Sequence, residues 1–223
     1  MQYRHEWKTE ISYQDALLLR SRLDAVCDRD PHVGPDGCYH IRSIYFDNPD
    51  DKALRDNVSG TAHRQKFRIR YYNGDLSFIQ LEKKCKDNSL GYKLATSLSI
   101  GDTQRIIDGD FGFLLESSDP LLRDLGEHMR HGLFAAKSIV EYSRVPYVYT
   151  AGNVRVTLDY DIRTGLWNRD FLDWNSLTIP AADIYLLEVK YDNFIPDVIR
   201  DIVQLGNRRL GAFSKYAASR MFD

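Results

Sequence analysis

Residues 66–71 read Lys-Phe-Arg-Ile-Arg-Tyr, and this short run decides the fold. Successive side chains of a β-strand point to opposite faces. Phe67, Ile69 and Tyr71 therefore share one face, and Lys66, Arg68 and Arg70 share the other. The ordinary explanation of such alternation is a half-buried sheet with its charged face in water. Three cations stacked on one sheet face repel, however, unless an anion or carboxylates sit among them. The alternative is a strand whose charged face looks into an enclosed interior, and the neighbouring stretches bear on that choice.

Working outward, the same alternation recurs. Ile79 and Leu81 alternate with Gln80, Glu82, Lys84 and Lys86. At the N-terminus Arg4, Glu6, Lys8 and Glu10 oppose His5, Trp7 and Thr9. Val154, Val156 and Leu158 alternate with Arg155, Thr157 and Asp159, and Leu187, Val189 and Tyr191 with Glu188, Lys190 and Asp192. Carboxylates stand beside cations: Glu6 by Lys8, Glu82 by Lys84, Glu188 by Lys190. This mixture has a chemical logic. A polyanion needs many cationic donors, and guanidinium forks match phosphate oxygens two at a time. A Mg²⁺ or Mn²⁺ ion bridging those oxygens needs one or two carboxylates.

The pattern predicts strands over 3–11, 39–47, 65–73, 77–86, 91–99, 138–150, 153–161 and 182–191. Thr150 to Asn153 reads as a hairpin turn. Helices are expected over 13–27, with Ala16, Leu19, Leu23 and Val26 buried, and from Pro120 to about His131. Shorter helices fit 50–57, 101–108, a segment starting at Pro196, and 214–221. The fold class is therefore α+β, a closed eight-stranded antiparallel β-barrel with peripheral helices. Residues 1–223 read as a single domain, with 43% hydrophobic content and no repeats or long linkers.

Net charge is −2, from 30 basic and 32 acidic residues, so the overall balance says nothing about an anionic partner. Cys27, Cys38 and Cys85 are odd in number and lack metal-ligand spacing, which suits a reducing compartment. The six histidines are scattered and read as surface or satisfied core residues. Trp167 and Trp174 fall in a loop read as a lid packed over the barrel. Arg42 shares a face with His40 but also with Ile44 and Phe46, so its direction stays open. There is no apolar signal region and no membrane segment, and a cytoplasmic protein is expected.

At these residues the chain resembles the triphosphate tunnel metalloenzymes, specifically the polyphosphate polymerase domain of the vacuolar transporter chaperone (VTC) type within the CYTH-like superfamily. The resemblance runs from Tyr3 to about Arg220 and rests on short motifs in order: Arg4-His5-Glu6-Trp7-Lys8, Tyr45-Phe46-Asp47, Lys66 to Tyr72, Leu81-Glu82-Lys83-Lys84, Tyr142-Ser143-Arg144, Val154 to Asp159, Leu187-Glu188-Val189-Lys190 and Phe213-Ser214-Lys215. It implies a catalytic set of Lys8, Arg68, Arg70, Lys84 and Arg144. It implies substrate contacts from Lys93, Tyr142, Arg155, Ser214 and Lys215, and Mn²⁺ or Mg²⁺ held by Glu188 and Glu6. The partners it implies are ATP and inorganic polyphosphate. In one respect the chain departs from related domains, with Ala212 where they can carry a lysine.

The activity this implies is transfer of the terminal phosphate of ATP to a growing polyphosphate chain. A hydrolase of tripolyphosphate or nucleoside triphosphate on the same fold, and a non-catalytic polyphosphate sensor, stay open beside it. A nucleic-acid-binding barrel is disfavoured, because Phe67, Ile69 and Tyr71 lie opposite the arginines instead of alternating with them on an exposed face.

Overall fold

The computed structural model describes residues 4–31, 33–88, 90–206, 211 and 213–221. β1 (His5–Ile11) runs into α1 (Tyr13–Asp24) through a capping box. Ser12 accepts from the Asp15 amide, and Asp15 accepts from the Ser12 amide. Ala16, Leu19 and Leu23 are buried as expected, but Val26 lies past the helix end and is exposed. There follow β2 (Asp28–Arg29), β3 (Tyr39–Asp47), α2 (Lys52–Val58), β4 (His63–Tyr72), β5 (Asp75–Asp87) and β6 (Leu90–Leu98). Then come α3 (Ile100–Ile107), α4 (Gly112–Leu115) and α5 (Pro120–Gly132), the last capped by Asp119 with proline in its first turn. The chain continues as β7 (Ala135–Tyr149), β8 (Val154–Thr164), β9 (Ile179–Ala182), β10 (Tyr185–Tyr191), α6 (Asp197–Val203) and α7 (Lys215–Ser219). The unexpected pieces are β2, β9 and α4, each too short to carry a readable period.

The strands form one antiparallel sheet in the order β1-β10-β8-β7-β3-β4-β5-β6, with β2 on β7 and β9 on β8. The eight expected strands are all present. The expected closure is not: among the described residues no continuous ladder joins the end strands, which meet at a single bridge between Arg4 and Gly91. The reason lies in the edge of β1. Arg4, Glu6 and Lys8 present their backbone groups to the same side. The Arg4 amide donates to Gly91 of β6, but the Lys8 carbonyl accepts from the Gly91-distant Gly211 amide at 2.9 Å. Gly211 thus takes a backbone position on the edge that β6 would need. Across this seam Lys84 of β5 reaches Glu6 of β1 at 2.8 Å.

The greasy side of the sheet faces outward, onto helices. Phe67, Ile69, Tyr71, Ile79 and Leu81 pack against Ile106, Ile107, Leu114, Leu121 and Leu125 of α3–α5. Val145, Val156, Leu158, Leu187 and Val189 pack against Leu19 and Leu23 of α1 and Ile199 and Val203 of α6. Burial of these side chains contributes roughly 1.5–3 kcal/mol each, before the entropic cost of ordering them. The charged faces are left on the concave side.

Arg42 belongs to the outer wall with Ile44 and Phe46. Fully buried, it ion-pairs with Glu141 at 2.5 Å and donates to the carbonyls of Asp173, Trp174 and Ser176. Tyr71 donates to the Phe171 carbonyl at 2.7 Å, and Trp174 lies against Tyr71. The loop carrying both tryptophans therefore covers the outside of β3 and β4, while Trp167 stays in solvent. No helix among the described residues is long and apolar enough to cross a membrane.

The β7–β8 turn is a 3₁₀ turn over Ala151–Asn153. Gly152 sits at φ 73°, and a Cβ there would collide with the Phe194 carbonyl oxygen. Gly152→Ala is therefore expected to destabilise the protein by at least about 1 kcal/mol, read as a lower urea midpoint at unchanged slope. An unchanged midpoint would refute the close approach.

Candidate functional site

The concave face encloses a cavity of ≈ 550 Å³. Lys8, Arg68, Arg70, Lys84 and Arg144 border it, as do Lys93, Tyr142, Arg155, Ser214 and Lys215 and the carboxylates Glu6 and Glu188. Every residue singled out from the sequence is thus brought to one space. Thirteen lysine and arginine side chains line it against three glutamates, so a chain of net charge −2 has a strongly positive interior. The position of Ala212 lies outside the described residues.

Strand register explains how the charges meet. Arg68 lies opposite Glu82, Lys8 opposite Glu188, and Glu6 opposite Lys190. Lys66, Lys84 and Lys93 lie opposite one another across β4, β5 and β6, a like-charge row that needs counter-charges.

Three carboxylate centres supply them. Glu82, buried, accepts from Arg68 at 2.5 Å and Lys93 at 2.6 Å, with Arg70 at 3.9 Å. Burial alone would raise its pKa, but Arg68, Arg70 and Lys93 hold it well below the usual carboxylate range. Asp159 takes a two-pronged Arg144 at 2.7 Å on both oxygens, with Lys215 at 2.5 Å. Burial opposes these cations, which nonetheless depress Asp159 to about 2.

Glu6 and Glu188 make the third centre. Glu6 contacts Lys84 at 2.8 Å and Lys8 at 2.9 Å, and Glu188 contacts Lys190 at 2.6 Å and Arg144 at 3.3 Å. Burial and Glu188 both push Glu6 up, yet Lys84, Lys8 and Lys190 bring it down to about 2. Glu188 is likewise raised by burial and held well below its ordinary value by Lys190, Lys8, Arg144 and Lys84. Both carboxylates are ionised at neutral pH.

Some lining residues were not singled out as site residues. Lys66 and Lys190 carried the same signal as their neighbours, namely their place in the alternation. Lys66 differs in having, among the described residues, no carboxylate in ion-pair reach; it donates to Ser214 Oγ at 3.1 Å. Burial brings it to about 7, Tyr45 opposing and Lys8 and Lys84 adding to the fall. Between about 7 and its ordinary 10.5 the unfolded chain binds a proton that the folded one lacks. Stability attributable to Lys66 therefore rises with pH across that window. Tyr45 is the reverse case: burial raises it, but Arg68, Arg70 and Lys66 lower it to about 7. Its ring stacks on Tyr216 of α7, with centroids 4.9 Å apart. Arg155 is engaged at the cavity wall by Asp30 at 2.9 Å, which also accepts from Tyr39 at 2.7 Å. No pattern in the sequence linked position 30 to position 155.

A family model described as the VTC domain matches residues 3–222. The chain belongs to the VTC domain family. Among solved structures this VTC domain is similar to HpAC1 of Hippeastrum, an adenylyl cyclase candidate with a dominant triphosphatase activity. The TM-score is 0.58 at 13% identity, covering 99% of this chain and 95% of that one. An adenylate cyclase candidate from Bacillus halodurans aligns with TM-score 0.48 at 16% identity, over 85% and 82% of the two chains. At 13% identity the likeness to the Hippeastrum protein concerns the fold alone. No curated protein matches the sequence.

Proposed function

We propose that this VTC domain is a metal-dependent polyphosphate polymerase that transfers the terminal phosphate of ATP to a growing polyphosphate chain. The observation that carries the reading is the convergence of thirteen lysine and arginine side chains and the carboxylates Glu6 and Glu188 on one cavity. Phosphoryl transfer depends mainly on positioning and on neutralising charge, and those are what such a wall supplies.

In this reading Arg68, Arg70, Lys84 and Arg144 neutralise the triphosphate, with Lys93 and Tyr142 beside them. Lys8, Arg155, Ser214 and Lys215 orient donor and acceptor phosphates in line. Glu188 and Glu6 suit Mn²⁺ or Mg²⁺: both are ionised, both offer hard oxygens, and Glu188 lies close enough to push the Glu6 pKa up. A divalent ion held by Glu188 and Glu6 would supply positive charge that offsets that of the phosphates. The mechanism uses no protein nucleophile. Each guanidinium and ammonium now tied to Glu82, Asp159, Glu6 or Glu188 is held in a position set by its strand or, for Lys215, by α7, so little reorganisation is needed when phosphate arrives.

A second reading, hydrolysis of tripolyphosphate or a nucleoside triphosphate, is favoured by the triphosphatase activity of the Hippeastrum protein. Purified protein with ATP and Mn²⁺ separates the readings on a gel. Long-chain polyphosphate supports the polymerase, orthophosphate alone the hydrolase, and binding without turnover a sensor.

Lys66 supplies a further test. A polyanion beside it provides the missing counter-charge and raises its pKa. Tripolyphosphate binding at pH 8 is expected to take up more protons in the wild type than in Lys66→Met. Calorimetry in buffers of different ionisation enthalpy reads the difference, and equal uptake would show that Lys66 does not meet the phosphate.

A further inference from the structure

Away from the cavity, Asp36, Cys38 and His40 bring one carboxylate, one thiol and one imidazole together. The three donor atoms lie within 4.8 Å of one another. His40 Nε2 is 2.7 Å from Asp36 Oδ2, Cys38 Sγ is 3.0 Å from the same oxygen, and Cys38 Sγ is 3.7 Å from His40 Nε2. We propose that these residues form a binding site for a divalent cation of the Zn²⁺ class.

The donor types are the first argument. A thiolate, an imidazole and a carboxylate together suit Zn²⁺ or Co²⁺, whereas Mg²⁺ and Mn²⁺ favour oxygen alone. Separation is the second. Bond lengths of about 2.0–2.3 Å at tetrahedral angles place ligand atoms about 3.3–3.6 Å apart. The sulfur–nitrogen pair already stands near that edge, and only the Asp36 oxygen must withdraw, by roughly half an ångström on the same geometry. Asp36 sits in an exposed turn, with its side chain 48% accessible, so the adjustment is small.

The third argument is what stands behind the ligands. His40 Nδ1 lies 3.1 Å from Ser143 Oγ on β7, a contact that fixes the ring and points Nε2 at the cluster. The Cys38 amide donates to Asp36 Oδ1 at 3.2 Å, which leaves Oδ2 turned toward the sulfur and the ring. Cys38 is buried, so its sulfur is held in place, while Asp36 and His40 open to solvent and give an ion access.

On binding, the sulfur–hydrogen bond breaks, a metal–sulfur bond forms, and the proton leaves to water. Water completes the fourth position. The site is a fastener. It would tie the turn before β3 to β3 itself and, through Ser143, to β7 beside Arg144. Tyr39, between two of the ligands, lines the cavity, so the pin sits directly behind its wall.

The test uses the full tag-free chain, stripped with a chelator and titrated with Co²⁺. Expected are one equivalent bound, the strong visible absorption of a tetrahedral site, and a thiolate charge-transfer band, all displaced by Zn²⁺. Cys38→Ser should abolish the charge-transfer band and weaken Co²⁺ binding at least about tenfold. Asp36→Asn, at an exposed position and still able to accept from the Cys38 amide, should weaken it similarly. Cys27→Ser and Cys85→Ser should leave the band intact. Absence of the band in the wild type, or its persistence in Cys38→Ser, overturns the proposal, as does unchanged affinity in Asp36→Asn.

Discussion

Glu188→Gln is expected to slow phosphoryl transfer by about 10²–10³-fold while polyphosphate binding stays the same or tightens. The two effects have opposite signs for one reason. Glu188 is a buried anion at the centre of β10, within reach of Lys190 and Arg144. Taking away its charge leaves the wall more positive, which favours a polyanion. It also removes a carboxylate proposed to hold the metal, whose contribution to a phosphoryl transition state is several kcal/mol, at about 1.4 kcal/mol per tenfold. Turnover is read from product on a gel, binding from titration with polyphosphate, and Mn²⁺ dependence from the concentration needed for half-maximal rate. A Glu188→Gln protein working at the wild-type rate would detach this residue from the metal.

The second large effect concerns Glu82. Glu82→Gln should destabilise the protein by about 3–5 kcal/mol, because removing one partner of a buried pair leaves its cations uncompensated. Arg68 and Lys93 would lose their closest anion and Arg70 a nearby one. For a chain of this length the loss corresponds to a fall in Tm of roughly 6–20 °C. The sign of the pH dependence follows from the same contacts. The folded pKa of Glu82 lies below its ordinary 4.5, so its stabilisation is present above that pH and fades as pH falls below it. Glu82→Gln should accordingly flatten the acid limb of the stability curve. Tripolyphosphate should recover more Tm in the variant than in the wild type, since phosphate replaces the missing carboxylate. A variant melting alongside the wild type would show that Glu82 is not the counter-charge these cations depend on.

Much of the site was legible because a strand sorts its side chains by parity. Once Phe67, Ile69 and Tyr71 are placed on one side, Lys66, Arg68 and Arg70 have only the other, and the same parity put Lys84, Arg155 and Glu188 on the charged faces. Parity says nothing about which charge answers which. Glu82 as the hub for Arg68 and Lys93, and Asp159 as the hub for Arg144 and Lys215, depend on register between strands far apart in sequence. Arg42 shows the limit most clearly. It alternates like a cavity residue's neighbour, and only the loop from Phe171 to Ser176, with its row of carbonyls, turns it into a buried outer-wall anchor. Closure of the barrel lies beyond parity for a related reason: eight strands suffice to make a ring, but Gly211 takes the Lys8 carbonyl on the edge of β1.

That edge has a consequence for how a long guest gets in. A cylinder zipped all round by peptide hydrogen bonds admits a polymer by one end only. Among the described residues the last join is laced by Lys84 and Glu6, with one backbone tie at Arg4 and Gly91. A phosphate chain bound as proposed would compete for that very lysine and so loosen the lacing. Under the proposed function this seam is where the wall would yield first, so a long guest need not thread from an end.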